Sequence, residues 1–536
     1  MTDQARPLPD DPETPSEDDA SSPGSVFDVG RNCWRVERAE RVGLIVDGAD
    51  YFAALREALI AARRQVMLIG WDFDFEIEML PGESDEDGLA PDGYPNELGD
   101  FIDAIAERRQ DLNLYLLKWN GAVLAAPARL LPSLALRVFS HETIHFALDG
   151  HHPFGACHHQ KIVVVDDELA FCGGIDVTEQ RWDTSDHTPG DPRRVLHDGS
   201  PAAAWHDATT ALTGPVAVAL GELARSRWKR ATSDEIVAPS SPPSGSHDAA
   251  DVPWPREVTV AMTDAQVAIA RTYPPFDDAP LVNEIEELYL DSVRMARNVI
   301  YIESQYFTTG TIIDAIEERL RETGGPEIVV VNPQSAFEAL EDSAMHPLRG
   351  RMIQRLHDAD REGRFRIFYP ADAAGEPIYV HAKIFIADDR LLHLGSSNLD
   401  DRSMGFDTEC DVALEGADED TRAAIRSFHL RLLAEHLDAT SDEVAAAWGE
   451  KRTIIEAIDM LNPPEGRGLR PIRHQEEGAL DRFLADTRML DPRYGRGEPS
   501  HAGRGLRPRH LVAGAALVGA LVLAWGLWKR GSRGRP

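Results

Sequence analysis

Apolar positions along the chain fall into short runs, separated by amphipathic stretches and by segments rich in Gly, Pro and Asp. Gly43–Val46 predicts a short strand, and a helix is predicted from Gly48 to about Arg64. Val66–Phe75, VMLIGWDFDF, has the length and β-branching of a buried strand. Pro81–Pro95 is acidic and rich in Gly and Pro, and predicts a loop. Leu112–Lys118, Leu134–Phe139 and Gln160–Val165 are further predicted strands, and Thr213-Gly214-Pro215-Val216 opens a helix. Residues 231–256, with APSSPPSGSHDAAD, have the composition of a linker. Beyond it the pattern restarts. A helix near Asn283–Arg297 leads into a strand at Val299–Phe307, then strands at Glu327–Val331, Phe365–Tyr369 and Tyr379–Ala387, and a helix at Glu419–Leu437. Strands alternating with helices on both sides of a linker predict an α/β fold of two similar lobes, 30–230 and 257–440, each a central β-sheet flanked by helices.

Composition changes this picture mainly at the ends. Hydrophobic residues make up 43% of the 536 and charged residues 27%, as in ordinary globular proteins, and the length calls for more than one core. Residues 1–26 carry seven acids against one Arg, among Pro and Ser. They lack the basic start and apolar run of a secretory signal, and residues 1–29 read as a disordered acidic tail. Residues 441–510 form a C-terminal extension. After it, Leu511–Trp528 is an unbroken apolar run of 18 residues. Arg504, Arg507 and Arg509 precede it, and Lys529, Arg530, Arg533 and Arg535 follow. That length and those flanks predict a single transmembrane helix of unresolved orientation. The net charge is −36, and the chain ahead of this basic end carries about −43. So acidic a body disfavours a nucleic-acid partner, which would need a basic face. The four cysteines are scattered, form no CxxC pair, and read as buried reduced thiols of a catalytic body in the cytoplasm.

The chemistry lies in a repeated motif. The first lobe contains HHQKIVVVDDELAFCGGID and the second VHAKIFIADDRLLHLGSSNLD. His159, Lys161, Asp166, Gly173 and Gly174 match His381, Lys383, Asp388, Gly395 and Ser396 at a constant offset of 222. On a strand, His-x-Lys sends both side chains to one face. Two such lobes facing each other surround one phosphate with two imidazoles and two ammonium groups. That set suits phosphoryl transfer without a metal or other cofactor: one His attacks, the other protonates the leaving alcohol, and the lysines stabilise the nonbridging oxygens. Asn398 adds a neutral donor where the first lobe has Asp176. Each His needs a carboxylate to fix its tautomer. Asp207, seven before Gly214, and Glu409, seven before Gly416, are the matched candidates. His206 reads as structural. His141, His145, His151, His152 and His158 have no standard ligand spacing and read as a polar loop at the cleft rim.

The duplicated H-x-K-x4-D-x6-G-[GS] resembles the phospholipase D superfamily, over roughly Asn32 to Leu437. The runs GWDFD, GGIDVTEQRWD, AWHDATTALTGPVA and YIESQYF are similar to phospholipase D enzymes proper. The resemblance implies lobes related by a pseudo-twofold axis. It implies a covalent phosphohistidine with His159 as nucleophile and His381 as acid then base, although the two are interchangeable by sequence alone. Asp166 and Asp388 are then structural. The implied partners are a phospholipid at a membrane, with water or a primary alcohol as acceptor. Alternatives are a phosphatidyltransferase of the cardiolipin synthase type, which usually has membrane spans ahead of its lobes, a nuclease, and an inactive membrane scaffold. Intact His-Lys pairs disfavour the scaffold.

Overall fold

The computed structural model describes residues 24–121, 141–239, 252–336, 339–449, 452–472, 488 and 491–492. The predicted strand Leu134–Phe139, residues 1–23 of the tail, residues 240–251 of the linker, most of the extension beyond 472, and the apolar run 511–528 lie outside the described residues. Among the described residues, no helix is long and apolar enough to cross a membrane.

The first half runs β1 (Arg35–Val46), α1 (Gly48–Ala61), β2 (Gln65–Gly70), α2 (Leu98–Arg108), β3 (Asn113–Trp119), β4 (Ile144–Asp149), β5 (Ile162–Val165), β6 (Leu169–Gly173), β7 (Trp205–His206), β8 (Ala208–Thr213) and α3 (Pro215–Thr232). The second runs β9 (Val260–Tyr273), β10 (Val282–Asn283), α4 (Glu284–Met295), β11 (Val299–Glu303), α5 (Gly310–Arg321), β12 (Glu327–Val331), α6 (Ala339–Ala359), β13 (Phe365–Ala371), β14 (Tyr379–Val380), β15 (Ile384–Ala387), β16 (Leu391–Gly395), β17 (Glu409–Glu415) and α7 (Glu419–Leu437). After these come α8 (Ser441–Trp448), α9 (Ile454–Leu461) and β18 (Gly468–Pro471).

All strands except β7 and β14 belong to one mixed sheet, in the order β18-β13-β12-β11-β15-β16-β17-β9-β1-β8-β6-β5-β2-β3-β4, with β10 beside β9. Outward from the central β1–β9 pair, the two sides read alike. Four antiparallel steps of pairing reach β2 on one side and β11 on the other, and two parallel steps follow.

The sheet is covered on both faces, and its strands alternate between two cores. Met67, Ile69, Ile162 and Val164 pack with Leu220 and Leu223 of α3, whereas Val66, Leu68, Val163 and Val165 pack with Phe52 and Leu55 of α1. In the second half, Tyr301, Ile384 and Ile386 share the core of Leu432 and Leu433 of α7. Ile300, Ile302 and Phe385 meet Leu288 of α4 and Ile313 of α5.

Several predicted boundaries move. The strand predicted over Val66–Phe75 ends at Gly70. That over Val299–Phe307 ends at Glu303, and Tyr379–Ala387 is two strands with His381-Ala382-Lys383 between them. In the last two the apolar run continues into Gln305 or into the His-Lys motif, which belong to the site. Two ends of the chain are more integrated than predicted. Phe27, assigned to the tail, is buried in the second-half core, and Ser25 Oγ donates to Glu415 at 2.5 Å. Within the extension, β18 pairs with β13, and Asp491 accepts from Thr308 Oγ1 at 3.1 Å.

Candidate active site

The motif histidines stand where the first residues of β5 and β15 meet the carboxyl ends of parallel strands β2 and β11. Open α/β sheets bind ligands at such ends. Each motif Asp builds the approach. Asp166 accepts from the backbone N–H groups of Arg63, Arg64 and Gln65 at 2.7, 2.7 and 2.8 Å. Asp388 accepts from those of Arg297, Asn298 and Val299 at 2.6, 2.7 and 2.9 Å. Both therefore lock the helix-to-strand turn that leads into β2 or β11. The motif glycines permit close approach. A Cβ on Gly173 would lie 2.4 Å from Thr209 Cα, and one on Gly395 would lie 2.5 Å from Asp411 Cα. On Gly174 it would lie 2.3 Å from Asp207 Oδ1. Ser396, at the matching position, instead uses its hydroxyl, which donates to Glu409 Oε2 at 2.5 Å.

The two halves exchange carboxylates. His381 Nδ1 lies 2.6 Å from Asp207 Oδ2, and His159 Nδ1 lies 3.1 Å from both oxygens of Glu409. The backbone makes this exchange obligatory. β7 pairs in parallel with β14, so His381 N donates to the His206 carbonyl at 2.8 Å. The segment before His159 pairs likewise with Thr408, and His159 N donates to the Thr408 carbonyl at 2.8 Å. Each acid thus follows the residue that holds the other half's motif. The ring hydrogen bonds of both histidines are made at Nδ1, which in His159 also meets the Ser396 carbonyl at 2.9 Å.

The lysines differ. Each donates to the carbonyl of its own motif histidine, but Lys161 Nζ also pairs with Asp176 Oδ2 at 3.1 Å, whereas Lys383 Nζ has Gln305 Oε1 at 3.4 Å. Asn398 occupies the place of Asp176, is buried, and leaves its Oδ1 without a hydrogen-bond partner among the described residues. Burial, reinforced by the Lys161 and Lys383 charges, holds His159 well below the usual imidazole range. Burial and the Lys383, Arg181 and Lys161 charges do the same to His381. Burial pushes Lys383 down to about 7, with Asp207 opposing, and pushes Asp207 up to about 6, with Lys383 opposing. Glu409 is pushed up by burial, against Lys161 and the Ser396 hydroxyl. Burial and the neighbouring cations therefore favour the neutral form of both imidazoles.

Two residues absent from the sequence-predicted set join this one. Arg181 lies 4.1 Å over the Trp205 ring, whose centroid is 5.2 Å from that of His381. Gln305 bridges Lys383 to the Tyr379 hydroxyl, 3.0 Å from Nε2. They lie within the GGIDVTEQRWD and YIESQYF runs, but nothing in those runs singled them out. The upstream histidines do not gather into one loop. His145 lies on β4, stacked on Tyr115 with centroids 4.5 Å apart. His158 is buried with Nε2 3.0 Å from Asp149 Oδ1. The four cysteines are buried and free.

The chain is similar in sequence to known proteins. A family model described as "Phospholipase D" matches residues 141–313, and one described as "Cardiolipin synthase, PLD-like domain" matches residues 289–430. Phospholipase D A of Dictyostelium discoideum is 23% identical over 484 residues, covering 74% of this chain and 35% of that protein. Phospholipase D1 of Schizosaccharomyces pombe is 22% identical over 531 residues, covering 79% and 38%. Phospholipase D alpha 1 of Nicotiana tabacum is 25% identical over 399 residues, covering 52% and 49%. The chain thus spans between about a third and a half of these relatives' lengths. Among solved structures, phosphatidylserine synthase of Haemophilus influenzae Rd KW20 aligns with a TM-score of 0.47 at 12% identity, over 74% of this chain and 86% of that one. With both copies of the His-Lys motif inside the matched residues, the chain belongs to the phospholipase D superfamily.

Proposed function

We propose that the chain is a phospholipase D-type phosphodiesterase that hydrolyses phospholipids or transfers their phosphatidyl group. The observation that carries this reading is the pair of imidazoles, each held at Nδ1 by a carboxylate from the opposite half, with Nε2 left for chemistry. In this scheme His159 Nε2 attacks phosphorus, the bond to the headgroup oxygen breaks, and His381 protonates the departing alcohol. His381 then takes the proton of water or a primary alcohol, whose oxygen displaces His159. Lys161, Lys383 and Asn398 hold the nonbridging oxygens, while Asp207 and Glu409 fix the ring tautomers. Phosphate binding adds the negative charge that favours a proton on His381 as departure begins.

The matched strand order supports two lobes, 30–230 and 257–440, related by a pseudo-twofold axis and duplicated around the β1–β9 pair. The apolar run 511–528, after the extension 441–510, supports an anchor that keeps the cleft at a membrane. The phosphatidyltransferase alternative uses the same site and differs only in the acceptor. Incubating purified protein with phosphatidylcholine, phosphatidylethanolamine and phosphatidylglycerol, with and without a primary alcohol, tests the reading. Phosphatidic acid, or phosphatidyl alcohol when alcohol is present, is the expected product. Cleavage of DNA but of none of these lipids would reject it.

A further inference from the structure

Behind Asp207 the fold encloses side chains that the phosphodiester chemistry does not use. Asp47 lies in the turn between β1 and α1, His187 in the loop after β6, His206 on β7 and Glu435 on α7. All four are buried, His187 and His206 completely. Their donor atoms converge to within 4.8 Å of one another. His206 Nδ1 is 2.7 Å from Glu435 Oε1 and 3.2 Å from Asp47 Oδ1. His187 Nε2 makes a hydrogen bond with the same Glu435 oxygen at 3.1 Å and lies 4.0 Å from Asp47 Oδ2. Four ligands about 2.0–2.2 Å from a tetrahedral ion stand about 3.3 Å apart, a spacing that these separations bracket.

The surroundings have the form of a metal site's outer shell. A metal-binding imidazole almost always gives its other nitrogen to a carboxylate or carbonyl. Here His187 Nδ1 lies 2.9 Å from Asp183 Oδ2, and His206 Nε2 lies 2.7 Å from Glu303 Oε2. Those acids are themselves held. Asp183 accepts from Arg194 Nη1 at 2.7 Å and from Trp205 N at 2.9 Å, and Glu303 lies 2.9 Å from His436 Nε2. Each ring is therefore fixed with its remaining nitrogen aimed at the Asp47–Glu435 pair. His206 Nδ1, although close to both acids, lies on a hydrogen-bond line to neither, and Glu435 Oε2 has no hydrogen-bond partner among the described residues. Positive charge must lie between these imidazoles and carboxylates, as ring protons or as a bound ion, and the unpartnered His206 Nδ1 and Glu435 Oε2 leave donor positions for an ion. One divalent ion with two neutral imidazoles and two carboxylates is a neutral set, the form least costly to enclose.

We propose that Asp47, His187, His206 and Glu435 hold a divalent transition-metal ion of the zinc class. Mixed nitrogen and oxygen donors, four positions and no exposed face suit such an ion better than calcium or magnesium, which keep more oxygens or waters. His206, Glu303 and His436 also approach one another, but they offer three donors and no route for a water to complete the set. Four protein ligands leave no open position, so the ion is structural. It lies apart from the residues proposed to bind phosphate and leaves their metal-free chemistry unchanged. Its effect reaches them through the backbone: Asp47 N donates to the Asp207 carbonyl at 2.8 Å, and His206 carries the carbonyl that holds His381 N. The ion would fix the segment that presents Asp207 to His381.

The metal content of purified full-length protein, expressed with zinc supplied, tests the proposal by mass spectrometry. About one equivalent per chain is expected, with cobalt(II) replacement giving the intense visible spectrum of four-coordinate cobalt. His187→Gln and Glu435→Gln should each lower the content about tenfold or more, whereas His159→Asn should retain it. Wild-type protein holding less than about a tenth of an equivalent, both as purified and after refolding with zinc, would overturn the proposal and leave a protonated ion-pair network. Undiminished metal in both ligand variants would overturn it equally.

Discussion

His159 and His381 occupy matched positions but are not chemically equivalent, because their neighbours differ. Lys161 pairs with Asp176, whereas Lys383 meets the neutral Gln305 side chain and forms no salt bridge among the described residues. The first expectation concerns roles. His159→Asn should abolish turnover and covalent labelling by substrate phosphate, whereas His381→Asn should let a phosphoenzyme accumulate, because only the second step needs His381 as base. Mapping the phosphorylated residue of the active enzyme to His381 would reverse the assignment. The second expectation concerns Asp207. Asp207→Asn should lower kcat on the order of 10²- to 10⁴-fold by releasing the His381 tautomer, with a smaller change in KM. An unchanged kcat would remove Asp207 from the machinery. The third is a pH profile. An imidazole must be neutral to attack, and a depressed His159 stays neutral into acid, so the acid limb of kcat/KM should lie below the ordinary imidazole range. The alkaline limb follows loss of protons the reaction needs, from Lys383, cationic only below about 7, and from His381, whose protonated form burial and its cationic neighbours disfavour, so in the free enzyme it should fall no higher than about pH 7. In kcat, where bound phosphate favours the ammonium, that limb should move upward. Kinetics across pH 4–10 on a soluble substrate would show both limbs.

At the scale of elements, the motif divides into residues that act and residues that shape. His-x-Lys stands on the extended backbone just before β5 and β15, and the apolar strand behind it anchors it in two cores. The motif Asp caps the turn before β2 or β11, on the far side of the strand pair from the site. Asp166→Ala leaves three backbone donors without their acceptor. It should lower the unfolding free energy by about 2–4 kcal/mol, measured by denaturant titration, while folded enzyme keeps kcat within a few-fold. A stable variant with collapsed kcat would instead bring Asp166 into the chemistry. The long strands β1 and β9 perform the other joining task, pairing with each other from Arg35 to Gly43.

At the scale of the molecule, one sheet runs through both halves, and the short β7–β14 pair adds a second junction beside the site. The site therefore cannot be assembled by either half alone. Each half supplies a histidine and the other half's carboxylate. The membrane reading also belongs at this scale. Only 18 residues separate Pro492 from Leu511, far fewer than the whole extension, because its first part folds onto β13 and near Thr308. Deleting residues 505–536 should give a protein that stays in solution. It should keep its activity on short-chain substrates and lose most of it on bilayers, since burial of the apolar run outweighs screened repulsion between an acidic body and anionic lipid. Aggregation of the truncated protein, or recovery of the full-length chain in the soluble fraction, would count against an anchor.

The duplicated motif was legible because chemistry imposes it locally: His-x-Lys, the turn-capping Asp and the close-packed Gly sit within about 15 residues, and their constant offset survives in the linear chain. The helix at Glu419–Leu437 was equally legible, since its residues satisfy their own hydrogen bonds. Of β1 only the end, Gly43–Val46, was predicted, and β9 was not, because charged residues break the apolar pattern (Arg35 to Arg41 in β1, Asp264 and Arg271 in β9) and the two strands pair with each other. Asp207 and Glu409 were found by their repeated spacing to a Gly, yet the exchange between halves was not. Sequence spacing is blind to which half a side chain faces. Arg181, Gln305 and the ring of Asp47, His187, His206 and Glu435 come from stretches as far as 388 positions apart. Their meeting depends on the packing of the two halves, to which the short parallel pairings at β7–β14 and His158–Thr408 contribute. The sequence by itself determined the reacting groups and the periodicity that buries their strands. Only the tertiary structure decided which acid serves which histidine, because that depends on backbone pairing between segments with no local preference for each other.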